Sequence, residues 1–319
     1  MNDATPRHLA ARSASGSLVE RAAALWDLAP PPFAAPVPDA RPEPVAPPAP
    51  ATTAFGPVAD PVAPLIRSPE RGVPRQRALV SVDRARLREQ GMIQPGGAVT
   101  ALAEEFRQIK RNLLLTAREV DGDKGRTILV CSARPNDGKT FCAINLALSL
   151  AAEKDVEILL VDADFAKPDV LSTFGLEACG PGLLDAIADP SIDVESCIVD
   201  TDIPQLAILS AGTKSHSDTE LLGSEAATAV LHRLATANPR RIVVFDSAPA
   251  LAASPAAVLA GHVGQVMLVV RADATSESDL RDAVALLDGC EHVQLVMNAV
   301  AFQPGGRRFD GYYGQEAAA

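Results

Sequence analysis

Aromatic residues are scarce in this 319-residue chain, which holds nine Phe, two Tyr and a single Trp. The core must therefore be built from aliphatic side chains, and an aromatic at an exposed terminus stands out. Cysteine is as sparing: Cys131, Cys142, Cys179, Cys197 and Cys290 are odd in number and lack CxxC or Cys/His spacing. That pattern excludes a disulfide framework and a structural zinc site, and reads as reduced thiols of a cytoplasmic protein. Positive charge is in deficit. The formal net charge of −11 argues against general nucleic-acid binding, because a phosphate polymer would be repelled. His8, His216, His232, His262 and His292 are scattered singly and offer neither a metal cluster nor a catalytic triad. The opening MNDATPRHLAARSAS has no apolar signal core. The uncharged interval from Ser247 to Val270 is broken by Pro249, Ser254, Pro255, Gly261, His262, Gly264 and Gln265. It predicts a loop, a short helix and a buried strand rather than a membrane span, so membrane contact is expected only through a partner.

Proline is plentiful but lopsided, with 16 of 26 in the first 75 positions. The stretch from Pro30 to Pro64 lacks hydrophobic periodicity and cannot bury enough surface to offset its chain entropy. Residues 1–98 are therefore expected to be a largely disordered Pro/Ala-rich region, with one short amphipathic helix at 17–28 carrying Trp26. Residues 99–302 are long enough for one well-buried domain, and 303–319 form an expected flexible tail.

Within the domain, continuous apolar runs alternate with helical patterns. Strands are expected at 127–133, 156–164, 206–211, 241–247, 265–272 and 293–300, and helices at 102–117, from 140, from 219 and from 276. Apolar runs separated by helices predict a doubly wound, mostly parallel sheet covered on both faces, with the ligand site at the carboxyl ends of its strands.

The chemistry gathers at those ends. Ala133, Arg134, Pro135, Asn136, Asp137, Gly138, Lys139 and Thr140 read ARPNDGKT, the closing half of a phosphate-binding loop between a strand and a helix. Gly138 lets backbone N–H groups turn toward phosphate oxygens, Lys139 supplies a point charge for the β and γ phosphates, and Thr140 offers a hydroxyl to a magnesium ion. The usual pattern has glycine where Ala133 stands. Phe141 follows directly. Asp162 and Asp164 leave the strand LLVDAD two residues apart, a spacing that suits a metal and a proton acceptor. Asp246 ends RIVVFD, where a buried strand delivers one carboxylate to its mouth. Asn298, at the end of the last strand, is a candidate for hydrogen bonding an adenine edge. These features predict binding of ATP with Mg²⁺.

Quoted together, ARPNDGKT, LLVDADFAKP and VVFDSAPAL make the chain resemble a bacterial tyrosine kinase of the polysaccharide-export type, from about Ala98 to the C-terminus. The resemblance implies a P-loop NTPase fold with Walker A, A′ and B motifs. Lys139 and Thr140 would then serve phosphate and Mg²⁺, Asp162 and Asp164 metal and base, and Asp246 would complete the metal shell. It further implies a Glu-x-x-Arg-x-x-Arg helix that contacts the neighbouring subunit in a ring. Glu104, Arg107 and Lys110 match it, with Lys in the last place, which loses the bidentate fork. The segments LAEEFRQIKRNLL and GKTFCAINLALSLA are most similar to autokinases of exosortase/PEP-CTERM exopolysaccharide systems. Such kinases pair with a membrane chain-length-determinant protein and are opposed by a tyrosine phosphatase, which places this chain in the cytoplasm or at the inner membrane through that partner.

Both tyrosines of the chain, Tyr312 and Tyr313, stand adjacent in a Gly-flanked tail, where termini lack the packing to bury them; they read as exposed phosphoacceptors, modified in trans. Two other readings share the loop. One is a deviant-Walker partitioning or positioning ATPase, whose signature lysine would correspond to Arg134. The other is a non-catalytic, nucleotide-gated scaffold of the polysaccharide machinery.

Overall fold

The computed structural model describes Arg77 and residues 79–120, 122–178, 180–215 and 217–300. The expected helix at 17–28 with Trp26, the proline-rich stretch, Cys179, His216 and Tyr312 and Tyr313 lie outside the described residues.

An eight-stranded sheet organises the described residues. Its strands are β1 (Leu79–Val80), β2 (Thr127–Ser132), β3 (Glu157–Ala163), β4 (Val199–Thr201), β5 (Leu206–Leu209), β6 (Arg241–Ser247), β7 (Gln265–Arg271) and β8 (Val293–Asn298). The spatial order is β1-β4-β5-β3-β6-β2-β7-β8, and every neighbouring pair is parallel except β4 with β5. The four central strands β3, β6, β2 and β7 are buried almost throughout, as their unbroken apolar runs require.

Successive residues of each strand feed opposite faces. Leu129 and Cys131 of β2 join one core, while Ile128 and Val130 join the other. The second face is covered by α1 (Arg84–Glu89), α2 (Ala101–Glu119), α3 (Lys139–Leu150) and α4 (Val170–Thr173). The first is covered by α5 (Leu183–Ala188), α6 (Asp218–Leu222), α7 (Glu225–Thr236), α8 (Pro255–Ala260) and α9 (Glu277–Leu286). The doubly wound expectation therefore holds. No described helix is long and apolar enough to cross a membrane.

Two expectations need correction, and one strand was not foreseen. The folded region does not start at 99: β1 pairs with β4, and Val82, Leu87 and Met92 are buried in the same core as α3. Their short apolar spacing escapes a periodicity test. The single helix from Thr219 is two, α6 and α7, broken at Gly223–Ser224, where the Ser224 hydroxyl caps α7 by accepting from Ala227 N. The antiparallel β4, three residues long, carries no pattern that would announce it.

Candidate functional site

The site forms where β2, β3 and β6 end together on the α3 side of the sheet. Ala133 continues β2, is fully buried and has no positive φ, so the position that usually holds glycine needs none here. The strained positions come later, at Asn136 (φ 67°) and Gly138 (φ 97°). Gly138 is required twice over. Its left-handed backbone disfavours a side chain, and a Cβ there would lie 2.0 Å from Asn298 Nδ2.

Internal bonds hold the loop's shape. Arg134 N donates to Asp137 Oδ2 at 2.9 Å, and Ser132 Oγ donates to Arg134 O at 2.8 Å. Neighbouring elements brace it from outside: Arg271 donates to Asn136 O at 3.0 Å and Asn298 Nδ2 to Asp137 O at 2.9 Å. Whereas α2, α7 and α9 begin with side-chain caps from Thr100, Ser224 and Ser276, α3 begins at Gly138 with none. Its first N–H groups and the positive end of its dipole are left for an anion.

Lys139 turns into the carboxylates. Its Nζ lies 2.6 Å from Asp164 Oδ2 and 3.7 Å from Asp246 Oδ1, and donates to Thr140 Oγ1 at 3.1 Å. Burial opposes the charge on Lys139, but Asp246 and Asp164 outweigh it and raise the ammonium's pKa. Asp162 and Asp246 sit directly opposite each other on the paired strands β3 and β6. Burial, with Asp246 beside it, pushes the Asp162 carboxyl up to about 7. Asp246 is pushed up to about 6, again chiefly by burial, with Lys139 pulling the other way. Neither oxygen of Asp246 receives a hydrogen bond, although both are fully buried. Buried carboxylate oxygens without donors, beside a Thr hydroxyl and a second carboxylate, are the hard oxygen set that Mg²⁺ takes. The residues present fit that ion.

A cleft of about 390 Å³ opens over this group, lined by Pro135, Asn136 and Gly138 of the loop, Lys139, Thr140 and Phe141 of α3, Asp164, Ala166, Lys167 and Asp169 after β3, and Ala248, Pro249, Ala252 and Ala253 after β6. The structure thus brings together Lys139, Thr140, Asp164 and Asp246. Asp162 stands behind them: its oxygens accept from Asp164 N at 3.2 Å and Val170 N at 3.0 Å, which fixes the turn that presents Asp164. Arg134 is half-exposed and paired with Asp279 at 3.3 Å.

One expected placement is corrected, that of Lys110, and one residue gains a role. Asn298 has a further role that the sequence did not suggest: its Nδ2 donates to Asp137 O and its Oδ1 accepts from Ala299 N at 2.9 Å, so it braces the phosphate loop, with one N–H and one lone pair left over. Lys110 does not share an outward stripe with Glu104 and Arg107. It is buried, donating to Ser149 O at 3.0 Å and pairing with Glu153 at 2.7 Å at the end of α3, while Glu104 and Arg107 pair with each other. Sequence reasoning overlooked Arg271 and Lys167, and nothing local to either residue signals its place at the loop or the cleft.

No protein-family model matches the chain. Among curated proteins it is similar to tyrosine-protein kinase YwqD of Bacillus subtilis, 28% identical over 214 residues, covering 66% of this chain and 86% of that protein. Tyrosine-protein kinase CpsD of Streptococcus pneumoniae is 29% identical over 183 residues, covering 56% and 74%. Tyrosine-protein kinase wzc of Salmonella typhimurium is 24% identical over 237 residues, but the match spans only 31% of that longer protein. Of solved structures, the kinase domain of Escherichia coli tyrosine kinase ETK superposes with a TM-score of 0.55 at 19% identity, covering 72% of this chain and 94% of that domain. The VpsO kinase domain superposes with a TM-score of 0.50 at 29% identity, covering 62% and 99%. The fold is that of these kinase domains, and the chain's named homologues are bacterial tyrosine-protein kinases.

Proposed function

We propose that this chain, a homologue of bacterial tyrosine-protein kinases, is an ATP-dependent protein-tyrosine autokinase that regulates exopolysaccharide synthesis or export. The observation that carries the reading is the convergence of Lys139, Thr140, Asp164 and Asp246 on one cleft at the uncapped start of α3.

In this reading the α3 N–H groups and Lys139 hold the β and γ phosphates. Thr140, Asp164 and Asp246 would hold Mg²⁺, which when bound neutralises charge on the transferring phosphoryl group. A tyrosine phenol oxygen attacks the γ phosphorus, the bond to ADP breaks, and the phenolic proton passes to a carboxylate, with Asp164 the one that faces the cleft. Asp162 positions that carboxylate. Lys139 shifts from Asp164 to the phosphates when ATP enters, which frees Asp164 for its part.

The acceptors in this reading are Tyr312 and Tyr313, delivered in trans by a neighbouring subunit of a ring. Glu104 and Arg107 remain candidates for the ring contact. A membrane chain-length-determinant protein is the proposed partner, and a tyrosine phosphatase would reset the tail.

The test is intact mass of the purified chain before and after incubation with Mg²⁺ and ATP, with peptide mapping of residues 303–319. Phosphate on either tyrosine is expected in wild type and none in Lys139→Met, whose fold is checked by circular dichroism because the lysine also pairs with the buried Asp164 and Asp246. Wild type that consumes ATP without gaining phosphate would replace the kinase with an ATPase.

A further inference from the structure

Residues 79–94 carry none of the nucleotide motifs, yet they touch both elements that carry the walls of the nucleotide cleft. On one wall is α3. Ile93 N donates to Asn145 Oδ1 at 2.8 Å, while Asn145 Nδ2 donates to Phe141 O at 2.9 Å and to Met92 Sδ at 3.3 Å. Phe141 lines the cleft one residue after Thr140. The other wall is the segment after β3. Asp83 N donates to Phe174 O at 3.0 Å, and Leu87 is buried in one core with Val170 and Phe174. Val170 N in turn donates to Asp162, whose other oxygen holds the backbone of Asp164.

Asn145 is fully buried between Ile144 and Leu146 in a helix otherwise suited to Ala, Ile and Leu. An amide is a poor helix former, and burying one is costly unless its hydrogen bonds are made. An aliphatic side chain would pack there as well. What the amide adds is a fixed register between the strap and the first turn of α3, since its two ends are committed to Ile93 and Phe141 at once. The strap itself is held at its far end. Val82 N donates to Asp202 Oδ1 at 3.0 Å, and Arg77 pairs with Glu157, Glu195 and Asp200.

We propose that Asn145 is a positioning residue for nucleotide turnover and that residues 79–94 are the strap that acts through it, fixing the spacing between the phosphate-loop helix and the carboxylate segment. The proposal rests on the ATP-site reading above.

The experiment measures ADP release and, separately, ATP affinity by fluorescence titration, on the full chain. Asn145→Leu removes all three hydrogen bonds while keeping the branched shape, and Ile93→Pro removes the strap's backbone donor while leaving α3 intact. Each should lower kcat about tenfold or more, as small misplacements of reacting groups do, with the ATP Kd changed by less than about threefold. The double variant should lose no more than the worse single, the signature of one shared interaction. If Asn145→Leu fails to fold, Ile93→Pro carries the test. Variants that only melt earlier and keep wild-type kcat below their melting range would overturn the proposal, as would additive losses. Wild type that binds no ATP would overturn the cleft reading and the strap together, a result distinct from wild type that turns over ATP alongside unimpaired variants.

Discussion

Asp246 should be a liability to the metal-free fold and indispensable to its chemistry, so Asp246→Asn is expected to separate the two. In the folded chain its carboxyl titrates at about 6 against an ordinary 3.8, with burial the largest cause. A rise of that size corresponds to about 3 kcal/mol of destabilisation above both values. The asparagine carbonyl that replaces one carboxylate oxygen meets the same lack of donors, which costs about 1 to 3 kcal/mol. Removing the charge also relieves Asp162, which Asp246 pushes upward from the neighbouring strand. The balance is a gain of about 1 kcal/mol at pH 8, or roughly 2 to 4 °C in Tm for a domain of this size.

The pH dependence has a definite sign. The folded carboxyl holds its proton more tightly than the unfolded one, so the destabilising contribution of Asp246 and Asp162 in the metal-free protein shrinks as the pH falls from about 7 to about 4. The advantage of Asp246→Asn should therefore be present at about pH 8 and gone by about pH 4, where wild type is protonated too. Urea denaturation in EDTA at both pH values reads this directly, and ADP release with Mg²⁺ should fall about 10²-fold or more in the same variant. A variant no more stable than wild type at pH 8, or a difference independent of pH, would refute the buried-carboxylate argument. Undiminished turnover would remove Asp246 from the site.

Gly138→Ala should lose ATP binding and about 1 to 2 kcal/mol of stability, because the new Cβ meets a left-handed backbone and the Asn298 amide; isothermal titration and urea melts check both. Arg241 is nearly inaccessible and bonds Glu195 at 2.6 and 2.9 Å and Glu157 at 3.0 Å, so Arg241→Ala should cost about 3 kcal/mol, by taking the most buried donor from two carboxylates that keep only Arg77 as a cation. Although burial pushes Glu157 up, Arg241 and Arg77 hold it below the usual carboxylate range, so stability from this cluster should fade as acid protonates it. Replacing Tyr312 and Tyr313 together with Phe should abolish phosphate incorporation by intact mass while leaving the ATP Kd unchanged.

The convergence of Lys139, Thr140, Asp164 and Asp246 was legible because each is announced within a few positions of itself. A buried run ends, and a lysine or carboxylate stands where the strand stops; β6 spans 241–247 as the sequence predicts, and Asp246 emerges at its mouth. What could not be read is which way a side chain turns once another element arrives. Asn298 and Gly138 are far apart in sequence, and only their meeting shows that the missing Cβ makes room for the amide that braces the loop. Lys110 lies at helical spacing from Arg107, but the acceptor at Ser149 that draws it inward belongs to another helix. The strap escaped for the same reason, with proline-rich sequence before it and only Val82, Leu87 and Met92 to mark it. Asn145 was legible as a helical residue and no more. The motifs therefore identify the groups that meet in the cleft, whereas the parts that brace them come from 79–94, β7 and β8, which carry no motif at all. Substitutions that spare every motif residue but disturb those supports should impair catalysis more than binding, because spacing bears on the transition state before it bears on the ground state.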